Sequence, residues 1–353
     1  MKRYVIHFFL ISSILVPGLI SPQDGSNLRS VHILFEWSQE PDAVAYNFQI
    51  LFNGSVIFDR SEENTVYIEK ELISWDSDYS WRVRPIYQSG ELGDWIGTSN
   101  FSILGTTLPN LEIDIYDENL NEAGLIMFGQ FSPYFAVGVV DKMGNEIWNT
   151  QVAYMNHIND YGQLYGVTQI GNNTGGVQFS YNHDILWQTP YGTPVDSHEV
   201  KQIPNGNYMA FVPTVQLGPI SPEGNWAQYF QMIGYAADGI TNEFSWLGLK
   251  IVEFDKETSE EVWSWDPFEH FVMQDHDVYE GTWWTAYFDG FFDWMHSNAF
   301  HFDDEESVIY VSHRHLSRIS KIAYPSGEVI WNIGMPEQYN TGSDNICTDL
   351  GNS

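Results

Sequence analysis

A turn, one or two aliphatic residues and a tryptophan recur along the last two-thirds of this chain, and no other feature narrows its fold so far. The copies read Asp141-Lys-Met-Gly-Asn-Glu-Ile-Trp148, His183-Asp-Ile-Leu-Trp187, Asp255-Lys-Glu-Thr-Ser-Glu-Glu-Val-Trp263 and Tyr324-Pro-Ser-Gly-Glu-Val-Ile-Trp331. They recur at about forty residues, or nearly twice that where an insertion intervenes, and four short strands per such unit is the pattern of a β-propeller blade. Counting the turns predicts about five blades, with each tryptophan packed between neighbours. Between Pro213 and Phe244, and between Pro267 and Trp294, the chain is irregular and rich in Gly, Trp, Tyr and Phe, which predicts long loops on a site-bearing face.

The residues ahead of the repeats read differently. From Ser21 to about Leu104, runs such as Val31–Trp37, Ala45–Leu51, Tyr79–Arg84 and Thr98–Ile103 alternate apolar and polar residues, with turns every ten or so positions. That spacing predicts a β-sandwich over 21–104, a linker over 105–110 and the propeller over 111–353, an all-β chain. Met1-Lys2-Arg3 followed by an apolar run to Leu19 predicts a signal peptide or N-terminal anchor over 1–20, and hence a periplasmic or extracellular body.

Charge removes whole classes of partner. The 353 residues carry 14 Lys and Arg against 47 Asp and Glu, a formal charge of −33. Nucleic acid is excluded as a partner, and so is a membrane surface beyond the N-terminal segment. The single cysteine, Cys347, cannot form an internal disulfide, and its polar Gly- and Asn-rich surroundings argue against a nucleophile.

Against this acidic background stands a local reversal of sign. His157, His198 and His296 each precede a short apolar strand, so in a ring of repeats they would converge near the central channel. Val311-Ser-His-Arg314-His315-Leu-Ser sets an arginine between two histidines. Strand alternation turns His313 and His315 one way and Arg314 the other, and none of the three is expected in an apolar core. A guanidinium fork beside imidazoles matches the oxygens of sulfate, phosphate or carboxylate.

Several of these stretches are similar to known families. Trp37, Tyr46-Asn-Phe-Gln-Ile50, Tyr79-Ser-Trp81 and Gly93-Asp-Trp95 resemble fibronectin type III domains. His198-Glu-Val-Lys-Gln-Ile-Pro-Asn-Gly-Asn-Tyr-Met, Asp293-Trp-Met-His296-Ser-Asn298 and Val311–Ser317, closing on Gly327-Glu-Val-Ile-Trp-Asn-Ile-Gly334, resemble bacterial arylsulfate sulfotransferases over roughly Leu111 to Met335. The resemblance implies a six-bladed propeller that moves a sulfuryl group from an aryl sulfate donor to a phenol acceptor. It implies no cofactor and no metal, and the absence of a phosphate-cradling Gly-rich loop agrees with a nucleotide-independent donor. Carried over by motif, His198, His296 and Arg314 are the catalytic residues, with His157, His315 and Asn298 as substrate-binding candidates. The family's nucleophilic histidine follows the Trp-x-Ile-Gly strand, and no histidine follows His315, so the sequence reads as a truncated member of little activity. His157 and His276 are the remaining stand-ins for that nucleophile. Two other readings stay open: a non-catalytic propeller that binds sulfated or phenolic ligands through its aromatic loops, and a metal site built from His157, His198 and His296.

Overall fold

Alternation in the first hundred residues produces strands where the pattern places them. The computed structural model describes residues 18–108, 111, 113–120, 122, 124–273 and 283–334. The apolar leader, His276 and Cys347 lie outside the described residues, apart from the leader's last few positions. Eight strands come first: β1 (Leu19–Ser21), β2 (Ser26–Leu28), β3 (Ile33–Trp37), β4 (Ala43–Phe52), β5 (Ser55–Glu62), β6 (Val66–Glu69), β7 (Ser77–Tyr87) and β8 (Gly97–Ile103). They form two sheets, ordered β1-β3-β6 and β2-β8-β7-β4-β5. In β3, Ile33, Phe35 and Trp37 are buried while Leu34 faces outward. Their rings meet the other sheet, with Phe35 5.3 Å from Trp81 and Trp37 stacked 5.5 Å from Phe48. Trp37 and Trp81 are therefore core residues, as their positions in the alternation predict.

The described residues divide into two compact units, one drawn from 1–128 and 138–150, the other from 129–137 and 151–353. β9 (Ile126–Gln130), β10 (Ala136–Val140) and β11 (Glu146–Thr150) pair in the order β11-β10-β9. β11 sides with the first unit through Val31 N–H to Ile147 O at 2.9 Å and Trp75 Nε1–H to Glu146 O at 3.1 Å. Trp148 lies in this strand, bridged to Ser30.

The second unit contains three antiparallel meanders in chain order. The first is β12 (Tyr154–Ile158), β13 (Leu164–Ile170), β14 (Asn173–Phe179) and β15 (Ile185–Gln188). The second is β16 (Val200–Gln202), β17 (Tyr208–Pro219), β18 (Asn242–Phe254) and β19 (Glu261–Trp265), with β20 (Phe292–Asp293) added parallel to β18. The third is β21 (Ser297–Asp303), β22 (Val308–His313), β23 (Arg318–Ala323) and β24 (Val329–Gly334).

The repeated tryptophans join successive meanders. Trp187 of β15 stacks on Tyr208 of β17 at 3.8 Å and 8°, and Trp263 of β19 donates from Nε1 to Pro325 O at 2.8 Å. Trp331 differs: it meets Tyr310 of its own sheet, 5.9 Å away. The first strands are also laterally linked. Asn156 of β12 donates to Ser197 O at 3.1 Å, just ahead of β16. Lys201 of β16 donates to Phe300 O of β21 at 2.8 Å, while Glu199 accepts from Phe300 N–H at 3.3 Å.

The described residues of the two stretches read as irregular loops are more ordered than their composition suggests. The β17–β18 hairpin extends through Val215 and Leu217 before the loop begins. Two short helices, α1 (Trp226–Met232) and α2 (Trp283–Asp289), then pack Phe230 and Trp283, together with Phe292 of β20, against Trp246 and Phe244. A chain rich in large aromatic rings lowers its free energy by burying them, which composition alone cannot distinguish from a loop. No described helix is long and apolar enough to cross a membrane.

Candidate active site

Two carboxylates orient two histidines. Ahead of β16, Asp196 N–H donates to Phe211 O at 2.9 Å, which fixes the turn. Asp196 Oδ1 then accepts from His198 N–H at 2.9 Å and from the His198 ring Nδ1 at 2.6 Å. The second histidine follows β20. Trp294 N–H donates to Leu247 O at 3.1 Å, and Trp294 and Met295 are fully buried. The chain then turns sharply at His296, whose φ of 44° lies in the left-handed region. That turn brings His296 Nδ1 back onto the Asp293 carboxylate.

The Arg314 segment meets this turn directly. Arg314 N–H donates to His296 O and His315 N–H to Met295 O, both at 3.1 Å, continuing the β21–β22 ladder past its last pair, Ser297 with His313. His315 Nδ1 reaches Asp293 O at 2.7 Å. The His198 and His296 rings stand 5.5 Å apart, and the His296 and His315 rings 4.8 Å apart. His198, His296 and His315 therefore form a row, with each Nδ1 held by an oxygen. Arg314 is exposed, and its charge acts on His296.

These contacts decide the proton affinity of His296. The hydrogen bond from Asp293 raises it above the usual imidazole value, and the Asp293 and Asp196 charges add to this. Burial and the Arg314 charge oppose the rise without cancelling it. The Asp293 carboxylate thus favours the protonated form of the His296 ring.

The other sequence candidates fall elsewhere. His157 does not precede its strand as His198 and His296 do. It lies within β12, paired with Tyr165, with its ring 5.7 Å from that tyrosine. Burial, then the Lys201 charge, lowers its proton affinity, opposed by Asp160. Asn298 falls at the register shift between Ser297 and Ala299, half-buried in β21.

The reading that kept His313 out of the core is wrong. His313 is 1% exposed, shares a 2.8 Å hydrogen bond with Ser297 Oγ, and lies against Phe271 and Trp265. Burial, aided by the Arg318 charge, lowers its pKa to about 3, so it sits there neutral. A neutral imidazole with one nitrogen satisfied is a tolerable core residue, which a run of basic letters conceals.

Sequence reasoning gave no role to Asp196 or Asp293. The signal was present, since each stands two or three residues before its histidine, close enough for a turn to bring carboxylate and ring together.

Residues 221–348 match the model of the Arylsulfotransferase (ASST) family. The matched stretch contains His296, Arg314 and His315 but not His198. No curated protein sequence matches the chain. Among solved structures it is similar to hydrazine synthase of Kuenenia stuttgartiensis, at 11% identity and a TM-score of 0.32, over 87% of this chain and 80% of that one. It is also similar to the rhamnogalacturonan lyase YesW, at 9% identity and a TM-score of 0.27 over 91% of this chain, and it spans about half (54%) of that lyase. The central fibronectin-III array of RIM-binding protein aligns at 9% identity and a TM-score of 0.18, over 70% of this chain and 95% of that one. Likenesses this distant carry no argument about function.

Proposed function

We propose that the protein transfers a sulfuryl group from an aryl sulfate ester to a phenolic acceptor, at the hub of a propeller whose blades are the β12–β15, β16–β19 and β21–β24 meanders. The family match of residues 221–348 supports the reaction class. The lateral links between first strands, Asn156 to Ser197 and Lys201 to Phe300, support the circular arrangement. One observation carries the reading: the His198 and His296 rings, from separate meanders, stand 5.5 Å apart with the Arg314 charge acting on His296.

The chemistry follows from the loose transition state of such transfers, in which negative charge collects on the leaving oxygen and the equatorial oxygens. Arg314 and His198 hold the sulfuryl oxygens. His296, its Nδ1 fixed by Asp293, presents Nε2–H to the ester oxygen. As the sulfur–oxygen bond breaks, the electron pair stays on the aryl oxygen and the Nε2 proton neutralises it. His296 then accepts the proton that the acceptor phenol loses when its oxygen bonds sulfur, which restores the starting state.

The test is release of nitrophenolate from 4-nitrophenyl sulfate with phenol as acceptor. The folded protein should release it at a low rate, and Arg314→Ala should lower kcat/KM by a further factor of about 10²–10³, the usual effect of removing one charge-stabilising donor. Absence of release from folded protein, or full activity in the variant, refutes the assignment. The second reading, a non-catalytic binder, draws on the aromatic rings exposed on α1 and α2: Tyr229, Trp284 and Phe288. It predicts phenol binding without turnover.

A further inference from the structure

Two edge strands of the second unit, β16 and β21, are joined by side chains rather than by a main-chain ladder. Each is the first strand of its meander, so one main-chain edge of each has no neighbour in its own sheet among the described strands. At Phe300 of β21 that edge meets an ion pair. Glu199 Oε2 accepts from Phe300 N–H at 3.3 Å, and Lys201 Nζ donates to Phe300 O at 2.8 Å. Lys201 Nζ also lies 2.8 Å from Glu199 Oε1. The pair satisfies both the donor and the acceptor of one residue, as a neighbouring strand would, and these bonds compensate a carboxylate that is only 8% exposed.

The Phe300 ring extends the contact. It lies 4.9 Å from Lys201 Nζ and meets Phe211 at right angles, 5.3 Å away. Phe211 O is the acceptor that holds Asp196 N–H. Glu199 directly follows His198, and Phe300 belongs to the strand that begins just after the His296 turn. The pair therefore joins the segment of Asp196 and His198 to the segment of His296. Other links between the same two meanders lie farther along each chain. Tyr324 O–H donates to Glu253 Oε2 at 2.6 Å, Trp263 Nε1–H to Pro325 O at 2.8 Å and Trp265 Nε1–H to Gly327 O at 3.0 Å. Those bonds join β18 and β19 to the β23–β24 turn and involve neither histidine segment.

We propose that Glu199 and Lys201 are positioning residues, whose ion pair, closed on the main chain of Phe300, sets the 5.5 Å separation of the His198 and His296 rings. The consequence for rate rests on the transfer proposed above, since displacing a reacting group by about 1 Å costs about 10²-fold. The positioning itself is measurable without turnover.

The experiment uses the full chain and replaces the pair by apolar residues, Glu199→Leu with Lys201→Met, so that no lone charge stays buried. The bonds from Tyr324, Trp263 and Trp265 should keep this double variant folded, as circular dichroism will report. The readout is the influence of the Asp196 charge on His296, which crosses between the two segments. NMR titration gives the His296 midpoint with and without Asp196→Asn. In the native background Asp196→Asn should lower that midpoint, because it removes a negative charge. In the double variant the same change should lower it less, because the carboxylate and the ring have moved apart. Glu199→Asp keeps the charge and shortens the reach by one methylene; it should also diminish the shift, and it carries the comparison if the double variant does not fold. The kcat for 4-nitrophenyl sulfate should fall by about 10²-fold in the double variant. Equal shifts in every folded background, or no shift in the native one, overturn the proposal. Diminished shifts in a protein that turns over no aryl sulfate sustain the positioning and refute only the reaction.

Discussion

Lowering the pH should destabilise this protein through one buried ring, His313. Its pKa falls from 6.5 to about 3 on folding, chiefly through burial and secondarily through Arg318. The unfolded chain therefore binds a proton below about pH 6.5 that the folded chain refuses until about pH 3, and stability falls as pH drops through that window. Each pH unit contributes about 1.36 kcal/mol, so the drop to pH 5 costs about 2 kcal/mol from this group. The neighbourhood offers no compensation: Trp265 and Phe271 cover the ring, and the charge that acts on it is a cation. The carboxylates of the chain titrate over the same range, so the informative quantity is a difference. Urea unfolding of wild type and His313→Gln should be followed at pH 7 and pH 5. Glutamine can keep the bond to Ser297 and does not titrate. The wild type should lose about 2 kcal/mol more than the variant between the two conditions. Parallel losses would mean that His313 protonates in the folded state and that the buried, neutral assignment is mistaken.

Asp293→Asn removes the largest influence that raises the proton affinity of His296, leaving burial and Arg314 opposed only by Asp196. Activity that needs protonated His296 declines as pH rises through its pKa, so the basic limb of the pH–rate profile should move to lower pH. Turnover above neutral pH should fall by about 10²-fold, in line with losing a positioned general acid, and an unmoved limb would detach Asp293 from the chemistry. Trp187→Ala removes a ring that is 6% exposed and stacked on Tyr208. Denaturation should show a loss of about 3–5 kcal/mol, with kcat of the folded fraction unchanged.

Alternation and turn spacing are local properties, and they carried a large share of the fold. The strands around Trp37, Trp81 and Phe101 sit where period-two patterning places them, because a strand exposes one face and buries the other. The tryptophan turns likewise mark the last strands of successive meanders at Trp187, Trp263 and Trp331. His198, His296 and Arg314 were legible as a set because each sits in a motif with a recognisable turn and strand. His157 looked equivalent by letter, but its hairpin register places it inside β12 rather than ahead of it. A register is set by pairing with the next strand, which a single segment does not encode.

The chain by itself determined that this is a β-rich, strongly acidic molecule of repeated units, and which few basic groups it commits to one place. Tertiary structure alone decided that Asp293 serves both His296 and His315, that Asp196 orients His198, and that His313 is a neutral core residue while its neighbour Arg314 faces solvent. The physical reason is that hydrogen-bond partners and burial depend on atoms brought together from distant strands. Those contacts, rather than the identity of the letters, set the charge each imidazole carries.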